Sequence, residues 1–493
     1  MSETTPSKLC ATVGGATMAD LRRARDEAAG TADMVEVRLD SVADPDPGGA
    51  LQGRRGPVLV TCRPEWEGGG FRGSEDVRHG MLHRAWELGA EFVDVERRAG
   101  FAEGFLDRTK GRRVVLSEHH FDRVPADLEA RLASLVASSA AVVKIAIATS
   151  RLRDTLPLFA WGREHSARGV VALGMGIAGI ATRILAARTG SAWTYAGDGW
   201  APGQIPASRL LGEFRYREVT NATALYGVVG RPIAHSLSPA LHNAAFTAER
   251  TDAVYLPLEA ADEDDFLAFA AAMGVAGASV TAPFKVALAA HATLDETASR
   301  VGALNTLVRT PDGWAGTNTD VDGFLAPLHG RLPLGGARAA VLGTGGASRA
   351  VALALGRRGA RVTVYGRDVQ RAVNVAALAD GAAAPWPPPP GSWDLLVNAT
   401  PVGTAPRLDE SPLPGARMDG ALVYDLVYNP RVTRLLRDAA ADGCDTVGGL
   451  EMLVAQAQAQ QLFWTGRRPD AAIMRAAAVA RLDAARPASL RDV

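Results

Sequence analysis

Between residues 9 and 197 the chain repeats one pattern eight times: a short apolar run of strand length, then a stretch of helical character rich in Ala, Leu, Arg and Glu. The runs are LCATV (9–13), MVEVRLD (34–40), PVLVTCR (57–63), EFVDVE (91–96), RVVLSEHH (113–120), AVVKIAI (141–147), GVVALGMG (169–176) and SAWTYAG (191–197). Strands joined through helices pair in parallel, and eight such units predict an α/β fold of the (β/α)8 barrel type. In that architecture the chemistry lies at the C-terminal ends of the strands and in the loops that follow them. Polar side chains collect there. Glu36 and Arg38 end the second run, Arg63 the third, and His119 and His120 the fifth. Lys144 is placed late in the sixth, Arg183 follows the seventh, and Gln204, in the turn APGQ (201–204), follows the eighth.

Lys144 stands inside AVVKIAIATS (141–150), among residues that build an apolar wall. Such a wall disfavours an ammonium, and the neutral amine is a nucleophile. The chemistry that needs one is imine formation with a ketone or aldehyde, after which the protonated imine is an electron sink for deprotonation at the neighbouring carbon. A histidine commonly takes that proton, and His119 lies on the adjacent strand.

The barrel pattern stops at 212–224, and YGVVG (226–230) starts a new set of elements, which places a boundary near residue 220. A third unit starts near 335, where ARAAVLGTGGASRAVALALGRRGARVTVYGR (337–367) reads as strand, glycine-rich turn, helix and strand. In GTGGASRA (343–350) the backbone N–H groups of Gly343, Gly345, Gly346 and Ala347, with the helix N-terminus, can cradle a pyrophosphate. The second strand ends YGRD (365–368). It offers Arg367, supplemented by Arg371, where an NAD-binding unit has an acid, which favours NADP despite the neighbouring Asp368. PWPPPP (385–390) reads as a stiff surface loop ahead of the strand DLLVNAT (394–400).

Composition excludes several classes. The chain has 493 residues, too many for one ordinary core. With 53 Lys and Arg against 54 Asp and Glu, bulk charge favours neither nucleic acid nor an anionic membrane as partner. Cys10, Cys62 and Cys444 are widely spaced and show no metal-binding pattern, so no metal is expected and a reducing compartment is. MSETTPSKLC lacks the features of a signal peptide, and no apolar stretch reaches the roughly 18–20 residues of a membrane span, so a cytoplasmic location is expected. The tail RLDAARPASLRDV (481–493) reads as a frayed helix end, and oligomeric state is not legible.

EVRLD (36–40), TCRPEWEGG (61–69), SEHHF (117–121), VVKIAI (142–147), MGIAGIATR (175–183) and APGQI (201–205) resemble, in order, type I 3-dehydroquinate dehydratase. The resemblance implies that Lys144 forms an imine with the C3 ketone of 3-dehydroquinate and that His119 moves the C2 proton and helps expel the C1 hydroxyl. It implies that Glu67 orients His119, that Arg183 and Gln204 hold the substrate carboxylate, and that Glu36, Arg38 and Arg63 support the hydroxyls and the lysine. His120 stands where Asp or Asn is common, and Trp200 occupies a lid position where a small hydroxyl residue is common.

GRPIAHSLSPALHN (230–243), GASVTAPFK (277–285), GALNTL (302–307), GTNTDVDGF (316–324), NATPVG (398–403), YDLVYNP (424–430) and GGLEMLVAQ (448–456) resemble shikimate dehydrogenase. That resemblance makes Lys285 and Asp320 the catalytic pair and Ser236 and Ser238 the carboxylate anchors. It gives Thr281, Asn305, Tyr428 and Gln456 to the substrate, and Asn398 and Thr400 to the NADP site. Ser279 replaces a common asparagine, and Pro401 a common serine. The implied organisation is a barrel (1–219), a substrate domain (220–334, completed by helices at about 448–480) and a Rossmann-type NADP domain (335–447). A bifunctional enzyme follows, converting 3-dehydroquinate to 3-dehydroshikimate and then to shikimate with NADPH. An NAD-dependent quinate dehydrogenase half shares most motifs, but the paired serines favour the smaller shikimate. A non-catalytic quinate-responsive regulator would have lost the catalytic groups, which are present.

Overall fold

The structure is a computed structural model that describes residues 7–484. It divides into two compact units, one made of the chain up to Ala224 with Pro232–Ala234 and Asp252–Gly274, the other of the remainder.

The first unit contains the barrel. Its strands are β1 (Lys8–Val13), β2 (Met34–Arg38), β3 (Val58–Thr61), β4 (Phe92–Glu96), β5 (Val114–His120), β6 (Val142–Ala148), β7 (Val170–Met175) and β8 (Trp193–Ala196). They lie side by side in the order β7-β6-β5-β4-β3-β2-β1-β8, so every neighbour but one is a neighbour in sequence. The seam between β7 and β8 is held by a bridge at Val170 and Ser191, with Ala192 N donating to Val170 O at 2.8 Å. All eight strands fall on the eight apolar runs.

Strand parity explains the composition of each run. On β6, Val143, Ile145 and Ile147 pack outward with Leu132, Leu158 and Trp161, while Val142 and Ala146 face inward with Cys10, Leu59, Val171 and Trp193. Each such aliphatic burial stabilises the fold by about 1.5–3 kcal/mol. Lys144 shares the inward parity of Val142 and Ala146. It is the third of seven strand residues rather than a late one, in register with Ser117, while His119 pairs with Ala146 one layer nearer the mouth.

In the second unit, strand Ala224–Gly230 runs parallel to Val275–Val280, which continues antiparallel to Thr306–Thr310 and then Gly313–Thr317. A separate parallel sheet orders Ala382–Ala384, Arg361–Tyr365, Arg338–Leu342, Leu395–Asn398, Leu422–Asp425 and Asp445–Gly448. The chain order across that sheet is the doubly wound 3-2-1-4-5-6, which opens a crevice at the carboxyl ends of its two central strands. PWPPPP departs from a simple surface loop. Pro388 is buried, and Trp386 packs against the cluster of Tyr365, Trp393 and Leu396.

Among the described residues no helix is long and apolar enough to cross a membrane. The last helix is described as far as Ala484, and the rest of the tail, 485–493, lies outside the described residues, as do 1–6.

Candidate active sites

At the barrel mouth one cavity is lined by Lys144, His119, Glu67, Glu36, Arg38, Arg63, Arg183 and Gln204, so all eight predicted residues converge. Lys144 does not sit in an apolar wall. Its Nζ lies 3.2 Å from Asp94 Oδ2, 4.0 Å from Glu36 Oε1 and 4.3 Å from the centre of the Tyr195 ring. Arg63 braces the same carboxylate, donating from Nη2 to Asp94 at 2.9 Å and from Nη1 to Glu96 at 2.8 Å and Ser117 Oγ at 2.9 Å. Burial alone would raise Asp94, but Arg63, Lys144 and His119 hold it well below the usual carboxylate range. Glu36 is fixed by hydroxyls, accepting from Thr12 at 2.8 Å and Thr61 at 2.9 Å.

His119 Nδ1 and Glu67 Oε1 are 3.0 Å apart, and the same oxygen accepts the His119 backbone N–H at 3.0 Å. Burial lowers the imidazole well below its ordinary value, helped by Arg63 and Lys144 against Asp94. Burial also pushes Glu67 up to about 8, with Glu96 and Asp94 adding to it and Arg63 opposing. A neutral imidazole whose Nδ1 is engaged keeps Nε2 available as a base.

Arg183 is 1 % exposed. Among the described residues its Nε has no partner, and burial, with no carboxylate beside it, lowers the guanidinium to about 10. A buried cation without a counter-ion is costly, and an anionic ligand would relieve that cost. Gln204, donating to Thr12 Oγ1 at 3.1 Å, borders the same space.

Two departures from the expected pattern acquire causes. His120 points away from the mouth and meets Glu118 at 2.8 Å, in a group with Arg97 and Arg131. Trp200 lines the cavity and sits 5.4 Å from the Arg38 guanidinium, which Asp40 holds at 2.9 and 2.6 Å. Its indole fills the space above Gly14, where a Cβ would come within 2.0 Å of the ring. Asp94, Glu96 and Ser117 were not anticipated. The signal was present in EFVDVE, since Asp94 and Glu96 are two residues apart and therefore share the inward face of β4.

In the second unit, Lys285 Nζ donates to Asp320 Oδ2 at 2.5 Å, and Asn305 Nδ2 donates to Asp320 Oδ1 at 2.8 Å. Asn305 also approaches Gln456 Oε1 at 3.4 Å. The helix carrying Asp320 (Asp320–Leu325) packs on the helix carrying Gln456 (Gly449–Thr465) at Gly323, where a Cβ would lie 2.6 Å from Gln456. Ser236 Oγ accepts from Ser238 N at 3.3 Å at the start of helix Ser238–Ala248. Thr281 and Tyr428 are half-buried. Ser279, in place of asparagine, donates to Gln460 Oε1 at 2.7 Å, and Gln460 Nε2 reaches Asn305 O at 3.2 Å. Gln460 was not anticipated.

The cofactor cleft, of roughly 810 Å³, is lined by Gly343, Thr344, Gly345, Arg367, Arg371 and Thr400 among others. The glycine turn fits a dinucleotide. Gly343 has φ +113°, a Cβ at Gly345 would meet nothing within 4 Å, and a Cβ at Gly346 would lie 3.3 Å from Lys285 Cδ. Bare backbone therefore faces the cleft beside the candidate catalytic lysine. Asp368 also lines the cleft, where it caps helix Val369–Ala376 through Arg371 N and pairs with the Arg371 side chain at 3.3 Å. Gly346, Ala347 and Asn398 are not among the residues that line the cleft. Asn398 is fully buried, donates to Asp425 at 2.9 Å and accepts from Thr400 Oγ1 at 2.6 Å, so it shapes the loop that Thr400 and Pro401 present. Among the described residues no group of side chains could hold a metal ion.

Three stretches of the chain match known families. Residues 9–220 match the type I 3-dehydroquinase family, 228–307 the shikimate dehydrogenase substrate-binding domain, and 449–479 the shikimate 5'-dehydrogenase C-terminal domain. The chloroplastic bifunctional 3-dehydroquinate dehydratase/shikimate dehydrogenase of Arabidopsis thaliana is 34% identical over 474 residues, covering 88% of this chain and 78% of that protein. The NADP(+) shikimate dehydrogenase of Synechocystis is 41% identical over 286 residues, covering 54% of this chain and 98% of that protein. A solved shikimate dehydrogenase in complex with NADP+ aligns with a TM-score of 0.50 at 30% identity, covering 54% of this chain and 97% of that one. With both halves matched in one relative over most of its length, this chain belongs to the family of bifunctional 3-dehydroquinate dehydratase/shikimate dehydrogenases.

Proposed function

We propose that the barrel dehydrates 3-dehydroquinate to 3-dehydroshikimate and that the second unit reduces that product to shikimate with NADPH. One observation carries the first step: a buried amine, an imidazole anchored by Glu67 and a buried guanidinium with no carboxylate neighbour among the described residues open on one cavity. Lys144 adds to the C3 carbonyl, and loss of water gives the imine. His119 Nε2 takes the C2 proton and returns it to the C1 hydroxyl, which leaves as water, and hydrolysis frees the lysine and the product. Arg183 and Gln204 hold the carboxylate. Asp94 and Glu36 stabilise positive charge at Nζ, and Arg63 keeps Asp94 ionised.

In the second unit, bound NADPH supplies the hydride. Lys285 donates the proton to the ketone oxygen, and Asp320, held on its other oxygen by Asn305, keeps the ammonium in place. Gly343, Gly345 and the start of helix Gly346–Arg357 are suited to the pyrophosphate, and Arg367 to the 2′-phosphate. Buried, free Cys10, Cys62 and Cys444 suit a reducing compartment.

The deciding assay supplies 3-dehydroquinate and NADPH together and follows shikimate. Shikimate formation with NADPH consumption is expected; accumulation of 3-dehydroshikimate without NADPH consumption would remove the second activity. Arg367→Ala should raise KM for NADPH about 10- to 100-fold, the loss of a charged hydrogen bond, while leaving NADH little changed. An equal effect on both cofactors would take the 2′-phosphate away from Arg367.

The depressed imidazole gives a pH prediction. A base whose folded value is lowered stays neutral until the pH falls well below the ordinary histidine value of about 6.5. The His119 resonance, identified by its loss in His119→Asn, is expected to titrate below that value, and titration at or above it would contradict the assignment.

A further inference from the structure

We propose that Trp386 is the stacking platform for the adenine ring of the dinucleotide, a role that rests on the NADP reading of this cleft. Strand Ala382–Ala384 runs parallel to Arg361–Tyr365, with Ala384 opposite Tyr365. Trp386 and Arg367 each lie two residues beyond that last paired position on their own strand, and both line the cleft. The juxtaposition matches the ligand's own chemistry. The 2′-phosphate and the adenine sit on one ribose, so a side chain adjacent to the residue that meets the phosphate is within reach of the base. Among the described residues that line the cleft, Trp386 carries the only aromatic ring, and its indole is the broadest flat surface offered to a purine.

The loop is built to hold the indole still. Trp386 is followed by Pro387, Pro388, Pro389 and Pro390, whose rings fix φ and stiffen the segment. Pro388 is buried, and the indole packs against the core cluster of Tyr365, Trp393 and Leu396 while it borders the cleft. A pre-positioned ring loses little side-chain freedom on stacking, which is the condition under which an aromatic platform adds affinity. The otherwise unexplained PWPPPP run thus acquires a purpose: it carries an aromatic side chain to the edge of the cofactor cleft and fixes it there.

The test is calorimetric and uses the full-length protein with two fragments of the cofactor, adenosine 2′,5′-bisphosphate and nicotinamide mononucleotide. Trp386→Ala should weaken the bisphosphate by about tenfold, within the range found when aromatic platforms under bases are removed, and leave the mononucleotide unchanged. Trp386→Phe should stay within about threefold of the parent, because a smaller aromatic face still stacks. Bisphosphate binding by Trp386→Ala equal to the parent's, or an equal loss for both fragments, overturns the assignment. A parent protein that binds no bisphosphate would instead remove the cofactor reading on which the assignment stands.

Discussion

Lys144→Ala is expected to abolish dehydration of 3-dehydroquinate, lowering turnover by about 10⁴-fold or more, as deletion of the nucleophile does in enzymes that work through a covalent intermediate. The physical basis is geometric. Among the described residues Nζ is the one amine lining the cavity, aimed inward by β6 and held between Asp94 and Glu36, so none of its described neighbours can replace it. Shikimate oxidation with NADP+ in the same variant should remain near the parent value, and its loss would mean that the substitution acts through folding. Borohydride added with 3-dehydroquinate should fix the substrate to Lys144 in the parent enzyme. A label on another lysine, or none, would overturn the imine. The variant also separates the two dehydrogenase readings. With dehydration blocked, NADPH or NADH consumed on 3-dehydroquinate would come from its direct reduction, the activity of a quinate dehydrogenase.

Lys285→Ala is the second large effect, slowing reduction of 3-dehydroshikimate by about 10²–10⁴-fold, the usual contribution of a positioned general acid. The loss should appear in kcat, since Ser236 and Ser238, which are assigned to the carboxylate, are untouched. Asp320→Asn should give a smaller loss in the same parameter, because the hydrogen bond from Asn305 can persist while the charge beside Nζ is gone. Single-turnover decay of NADPH absorbance reads the step directly. An unchanged rate in Lys285→Ala would take the proton from Lys285, whereas dehydratase turnover should be unaffected in both variants.

Much of this was legible in the chain because it depends on local spacing. Period-two alternation places Glu36 with Arg38, Ser117 with His119, and Lys144 with Ala146 on one side of their strands, and that side is the barrel interior. The glycine turn and the YGRD strand end are equally local. The reading failed where one side chain decides what another does. Asn398 lies in a stretch that resembles a cofactor loop, yet its amide is consumed by Asp425 and Thr400. Asp94 has the correct parity, but nothing in EFVDVE says that Arg63 and Lys144 arrive on either side of it.

The sequence by itself determined the eight-stranded barrel, the doubly wound nucleotide unit and the inward aim of Lys144, since each follows from periods of two and 3.6 residues and from turn chemistry. Only the tertiary structure decided the company those side chains keep. Lys144 meets carboxylates rather than an apolar wall, Arg183 is left without an acid, Asp368 is turned into a helix cap, and Trp386 reaches the cofactor cleft. Residues 31, 50 or 52 positions apart, such as Arg63 with Asp94, Lys144 with Asp94, and His119 with Glu67, are brought together by strand register and barrel closure. Parity along a strand specifies a direction, and register across strands specifies the partner.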